Sequence, residues 1–230
     1  MEALDLLANN LANTNTTGFK EQKAFFAALN TAMGSPEASP LEDAINRHAV
    51  LAESSLNVTG GSLLQTDREL DVALVGDGFL TVETPAGIRY TRNGNLMTDS
   101  RWVLCTAEGH PVIGERGRIV LGPGNIGINE NGEVLVNRVR IDRLKLASFE
   151  NPAALRRQGN SLFAPVSGDQ LPKAATGVTV RQGYQEQSNV NPVLATVRMV
   201  EIMRHFEAIQ KSVTLMFNEM DAKSIERLGR

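Results

Sequence analysis

The chain has 230 residues, 42% of them hydrophobic and 21% charged, with a formal net charge of −3. That balance supports a buried core and argues against disorder, a collagen-like fibre or a protein held to nucleic acid by charge. Its one cysteine, Cys105, excludes an internal disulfide framework, and His48, His110 and His205 are too scattered to bind a metal, so no cofactor is expected.

The opening residues MEALDLLANN lack the cationic start and apolar core of a secretory signal. No apolar run reaches the roughly 18 residues needed to span a bilayer. Leu4, Leu7, Ala8 and Leu11 recur at three- and four-residue spacing, which predicts a short helix over Glu2 to Asn13. Thr14 to Gly18 then gathers residues that compete for backbone hydrogen bonds or favour turns, and the helix should stop near Asn13 or Thr14. A second apolar stretch carries Phe19, Phe25, Phe26, Leu29 and Met33. Ser39, Pro40 and Glu42 form a capping pattern that predicts a turn or helix near 40–46, and alternation from Val50 to Val58 predicts a strand near 48–58.

The distribution of glycine is the most informative feature of the chain: 17 of the 20 glycines lie between Gly60 and Gly183. Glycine supplies the positive φ of tight turns without a Cβ clash, so this density predicts a β-rich middle. Short apolar runs at 70–75, 79–83, 89–92, 102–106, 119–121, 132–136 and 144–149 alternate with turn chemistry such as GDG at 76–78 and NENG at 129–132. The pattern describes antiparallel structure rather than a doubly wound α/β fold.

Beyond Gly183 the period changes. Asn191 followed by Pro192 is a helix start, an amide cap with proline at the first helical position. Ala195, Met199, Ile202, Phe206, Ile209, Val213, Met216 and Met220 then fall at alternating steps of four and three, a heptad seam. A helix from Pro192 to about Arg227 would be ~54 Å long at ~1.5 Å per residue. The N-terminal helix offers about three turns, too few to cover such a seam. The seam is therefore expected to lie on other subunits or a partner protein, although periodicity alone also allows the helix to lie across the β body.

Several chemical motifs are weak. Asp67, Glu69, Asp71 and Asp77 form an acidic cluster, which on strands and turns reads as solvated edges rather than a catalytic pair. The GDG reversal reads as a turn in which Asp77 takes the left-handed conformation. Cys105 in WVLCT reads as a small buried hydrophobe, with His110 a remote base. Gly122, Gly124 and Gly127 give GxGxxG but open no helix, and the dinucleotide fingerprint fails. His205 is read as an interface or surface histidine. Asn9, Asn10 and Asn13 are either solvated or bonded to neighbouring subunits.

Three segments carry a resemblance. ANNLANTNTTGFK (Ala8 to Lys20), QTDRELDVALVGDGFLTVETPAGIRYTRNGNL (Gln65 to Leu96) and QGYQEQSNVNPVLATVRMVEIMRHFEAIQKS (Gln182 to Ser212) resemble, in order, the N-terminal, central and C-terminal motifs of the flagellar rod and hook family. Within the family the chain resembles the rod subunits better than the longer hook subunit. The PVIG at 111–114 and the terminal KSIERLGR favour the proximal over the distal rod. A β module acting on or binding peptidoglycan is the rival from another class. Departures are a start some fifteen residues into the family's first helix, Leu80 for a common second Phe, and Arg101 and Trp102 where a Gly-containing step is common.

The resemblance implies a non-enzymatic axial protein, mainly β with helical termini. The N- and C-terminal helices form a coiled-coil-like pair and the middle forms a central antiparallel β domain. The expected division is 1–33 and 184–230 as axial core, 34–61 as connector and 62–183 as β domain. Expected partners are copies of itself, other flagellar rod and hook subunits and the flagellar type III export apparatus, with no nucleic acid or small-molecule substrate. The expected location is the periplasm-spanning rod of the basal body, reached without a cleavable signal. Candidate interface residues are Leu4, Leu7, Asn9, Asn10, Leu11, Asn13, Gly18 and Phe19 at one end and Met199, Ile202, Phe206, Ile209, Val213 and Met216 at the other.

Overall fold

The computed structural model describes residues 2–27, 50–159, 161–165 and 171–228. The turn or helix expected near 40–46, and Leu29 and Met33, lie outside these residues. Helix α1 (Glu2–Ala12) is followed by a turn in which the Asn13 side chain donates to the Asn9 carbonyl at 2.8 Å and the Thr14 hydroxyl to the Leu11 carbonyl at 3.0 Å. These side chains satisfy the last carbonyls of α1, which is why it stops where its polar tail begins. Strands β1 (Gln22–Ala27) and β2 (Val50–Leu56) then pair antiparallel from Gln22↔Leu56 to Ala27↔Val50, with a bulge between Phe25 and Phe26.

The middle of the chain is antiparallel throughout its named ladders, as the glycine density implied. Strand β3 (Leu63–Gln65) is followed by β4 (Val72–Val75), β5 (Phe79–Thr84), β6 (Gly87–Thr91), β7 (Leu96–Thr98) and β8 (Leu104–Thr106). Strands β9 (Ile126–Ile128), β10 (Glu133–Val136), β11 (Val139–Arg143) and β12 (Leu146–Ser148) precede a single 3₁₀ turn at Pro152–Ala154. Then come β13 (Leu155–Gln158), β14 (Leu162–Pro165), β15 (Lys173–Ala174), β16 (Thr179–Gln182) and β17 (Tyr184–Glu186). One six-stranded sheet has the order β13-β14-β6-β5-β12-β15 and a three-stranded one the order β11-β10-β9. The pairs β7-β8, β4-β16 and β3-β17 complete the body. Helix α2 (Pro192–Leu228) leaves it, and among the described residues no helix is long and apolar enough to cross a membrane.

Strand β5 divides two cores. Leu80 and Val82 join Val72, Leu96, Leu104, Val112 and Val134 in an aliphatic cluster, while Phe79 enters an aromatic one with Tyr90, Phe149 and Phe163. Phe79 meets Phe149 and Phe163 edge-on at 5.9 and 5.7 Å, and Tyr90 meets Phe149 at 4.8 Å. This geometry suits ring quadrupoles and adds to the area buried. Cys105 is buried as expected; its Sγ donates to the Met97 carbonyl at 3.5 Å, and burial, reinforced by the charge of Asp99, pushes the thiol pKa up.

Three expectations change in detail. The segment 119–121 forms no strand, only the isolated bridge Val103↔Val120, although Ile119 and Leu121 are core residues. In the GDG turn it is Gly76, at φ +105°, that takes the positive angle, not Asp77. Strand β11 was hidden because its hairpin turn has no glycine: Asn137 and Arg138 sit at φ +52° and +67° between the paired residues Val136 and Val139. Both central residues at positive φ is the type I′ geometry, which suits strand twist and favours Asn-Gly. Trp102 likewise sits at φ +63°, half-exposed, in a turn where Asp99 Oδ1 accepts from the Arg101 and Val103 amides. The glycine-containing step common in the resembling sequences is thus explained, and this chain bears the strain of a bulky residue there.

Arg138→Gly should relieve the left-handed strain and stabilise the protein by about 1 kcal/mol. Denaturant titration checks this; a loss of stability would contradict the turn assignment.

Candidate functional site

The three motifs meet at one buried point. Glu186, at the end of β17, is completely enclosed, and its Oε1 lies 2.5 Å from Lys20 Nζ, which is equally buried. Lys20 also donates to the Thr59 carbonyl at 2.7 Å, and the Gly61 amide donates to the same Glu186 oxygen at 2.9 Å. The second carboxylate oxygen faces Arg92 Nη1 at 3.4 Å. Arg92 in turn donates to the carbonyls of Leu74 and Gly76 at 3.3 and 2.6 Å and lies over the Phe79 ring at 5.2 Å. Burial pushes the Lys20 ammonium below its usual pKa, opposed by the charge and hydrogen bond of Glu186, while Arg92 adds to the lowering.

Around this point the N-terminal segment is fastened by amides. Asn10, on the inner face of α1, donates to the Gln22 carbonyl at 2.8 Å and accepts from the Gln22 amide at 3.1 Å, closing a ring with the backbone of β1. Asn189 accepts from the Glu21 amide at 2.7 Å and donates to the Asn57 and Thr59 carbonyls at 2.8 and 3.0 Å. Arg157 of β13 reaches Asn9 at 2.8 Å and Gln22 at 2.6 Å, with its guanidinium 4.3 Å over the Phe19 ring. Phe19 is wholly buried with Val190 and Ala195, and Leu11 packs against them. Gly18 sits at φ +67° with its amide on the Glu186 carbonyl at 2.7 Å; a Cβ there would stand 2.4 Å from the Arg92 backbone.

Asp71 corrects the acidic-cluster expectation. Asp67, Glu69 and Asp77 are exposed, but Asp71 is fully buried and accepts from Thr66 Oγ1 at 2.7 Å and Gln185 Nε2 at 2.8 Å. It is a second tie between the central and C-terminal motifs, not a solvated edge. Among the described residues no group of three His, Cys, Asp or Glu side chains could hold a metal.

The candidate interface residues therefore divide. Asn10, Gly18 and Phe19 are turned inward and fasten the chain to itself; Leu4, Leu7, Leu11 and Asn13 are half-buried and Asn9 is exposed. On α2 the cap forms as expected, the Asn191 side chain accepting from the Leu194 amide at 3.1 Å. Along the seam Ala195 is buried, Met199 and Ile202 are half-buried, and Phe206, Ile209 and Val213 are 43%, 40% and 44% exposed. The backbone of α2 continues past Met216, whose side chain is outside the described part. A second row, Val193, Val197, Val200 and Met203, is also exposed. Heptad counting missed it because it follows a single row. Lys20, Arg92, Glu186, Asn189 and Arg157 were missed as well. All but Arg157 lie inside the quoted motifs, and that was the available signal.

Comparison with known proteins adds three matches along the chain. The family profile for flagella basal body rod protein matches residues 2–20, that for the flagellar hook protein FlgE/F/G D1 domain matches 73–136, and that for the flagellar basal body rod FlgEFG protein C-terminal region matches 181–227. Flagellar basal-body rod protein FlgF of Caulobacter vibrioides is 30% identical over 232 residues, covering 99% of this chain and 92% of the relative. FlgF of Salmonella typhimurium is 34% identical, covering 90% and 85%. Flagellar basal-body rod protein FlgG of Buchnera aphidicola from Acyrthosiphon pisum is 33% identical, covering 92% and 88%.

Gly18→Ala forces both a left-handed alanine and a clash with backbone, and should cost about 3 kcal/mol or more. A denaturation midpoint equal to the wild type would show that the N-terminal segment is not docked as described.

Proposed function

The chain belongs to the FlgF/FlgG family of flagellar basal-body rod proteins, and we propose that it is a non-enzymatic subunit of the proximal rod. The observation that carries this reading is the bare apolar length of α2. Its root is held by the junction, but from Phe206 to Leu215 its apolar side chains Phe206, Ile209, Val213 and Leu215 are open to water. Covering one such side chain contributes roughly 1.5–3 kcal/mol. A long helix with apolar rows on two sides is stable in water only when neighbours lie along it.

A second copy supplies that cover. In a rod the contact between copies is heterologous, and such a contact propagates as a helix rather than closing as a pair. In this reading 1–33 and 184–230 form the axial core, 34–61 the connector and 62–183 the outward β body. Leu4, Leu7, Asn9 and Leu11 of α1 and Asn13 of the turn after it border the contact, and Met199, Ile202, Phe206, Ile209, Val213 and Met216 form it from α2. Copies of itself, other rod and hook subunits and the flagellar type III export apparatus are its partners, and the periplasm-spanning rod is its place. The proximal assignment rests on PVIG at 111–114 and the KSIERLGR terminus.

Phe206→Asp places a charge where assembly excludes water, an arrangement that costs several kcal/mol. The variant should fold, with thermal unfolding of the β body unchanged, yet should fail to enter rods isolated from cells. A motile strain with the variant in its rods would refute the proposed contact.

A further inference from the structure

The buried junction carries an imbalance of charge. Among the described residues Glu186 is its single anion, set between the cations Lys20 and Arg92, and all three side chains are almost or entirely removed from water. Among the described residues the remaining groups that face them are the carbonyls of Thr59, Leu74 and Gly76, the amide of Gly61 and the ring of Phe79. Two cations against one anion leave the cluster with one positive charge in excess, and among the described residues Arg92 Nε has no hydrogen-bond partner. Loss of the Glu186 charge leaves two uncompensated cations in low dielectric, which is far costlier than loss of one cation.

The position of Glu186 gives this imbalance a mechanical meaning. Its backbone carbonyl accepts the Gly18 amide, its strand pairs β3 through Glu186↔Leu63, and only a few residues separate it from Asn189, Val190 and the start of α2. Those same residues hold the N-terminal segment: Asn189 takes the Glu21 amide, and Val190 and Ala195 cover Phe19. We infer that Glu186 is the positioning residue of the assembly face. Through its charge it holds the N-terminal segment and the root of α2 to the β body as one unit, so that both helices dock together or are released together. The inference rests on the assembly reading only in calling that face functional; the coupling itself is a property of the free subunit.

Two reporters sense the coupling without touching Glu186. They are the amides of Glu21 and Gln22, donated to the side chains of Asn189 and Asn10. Hydrogen exchange on the monomer tests the inference. In Glu186→Gln, which keeps the shape and removes the charge, exchange at both amides should accelerate about tenfold or more while the amides of β5 stay protected. Lys20→Met, which leaves Arg92 and Glu186 as a neutral pair, should exchange more slowly than Glu186→Gln. The double variant Lys20→Met, Glu186→Gln restores the original net charge and should recover protection to within about threefold of the wild type. Wild-type protection in Glu186→Gln, or a double variant as labile as Glu186→Gln, would overturn the inference. Should Glu186→Gln fail to fold, cooperative unfolding regained in the double variant supports charge balance, and its absence refutes it. A monomer that behaves as predicted but never stacks would sink the assembly reading and leave this coupling standing.

Discussion

The contact between Lys20 and Glu186 is the constraint on which the architecture depends. It joins residues 166 positions apart, and it draws Arg92 from the middle of the chain into the same enclosed volume. Removing charges from water costs several kcal/mol per ion, so such a cluster is a poor source of net stability. What it supplies is uniqueness. A hydrophobic surface tolerates a slipped helix, whereas a buried ammonium finds its carboxylate and the Thr59 carbonyl, and that carboxylate finds the Gly61 amide, in one arrangement only.

The ends of the chain inherit that definition. Fastened by Asn10, Asn189 and Arg157, α1 and the root of α2 act as part of the β body, and Leu11, Phe19, Val190 and Ala195 form a small apolar seal over the polar ties. Beyond its root, α2 leaves Phe206, Ile209, Val213 and Leu215 exposed. In the proposed rod assembly, a rigid root and an apolar shaft suit the transmission of torque. In the proposed assembly, force along α2 would reach the β body through a buried contact instead of a hinge.

Much of this organisation could be read from the residues alone, for reasons that are local. The Asn191 cap, the proline after it and the three- and four-residue spacing of both helices depend on neighbours within a few positions. Glycine density announced the antiparallel middle because turns, too, are local. Where the decisive partner is distant the reading failed. Asp71 looked like a solvated edge because Gln185, which buries it, lies 114 residues away. Asn10 and Phe19 were candidate interface residues, and their partners within the chain, Gln22 and Arg157, gave no periodic sign. Strand β11 was overlooked because an Asn-Arg pair takes the turn that glycine normally marks. The three motifs nevertheless converged in space, so the sequence pattern had located the site without revealing its chemistry.

The central claim is that α1 is held against the root of α2 in the free subunit, before any neighbour arrives. A distance distribution between spin labels at the exposed positions Ala8 and Thr196 tests it most directly; Cys105, the only native thiol, is buried and does not compete for label. The account predicts one narrow distribution in the monomer. A broad distribution, with α1 sampling positions away from α2, would contradict it.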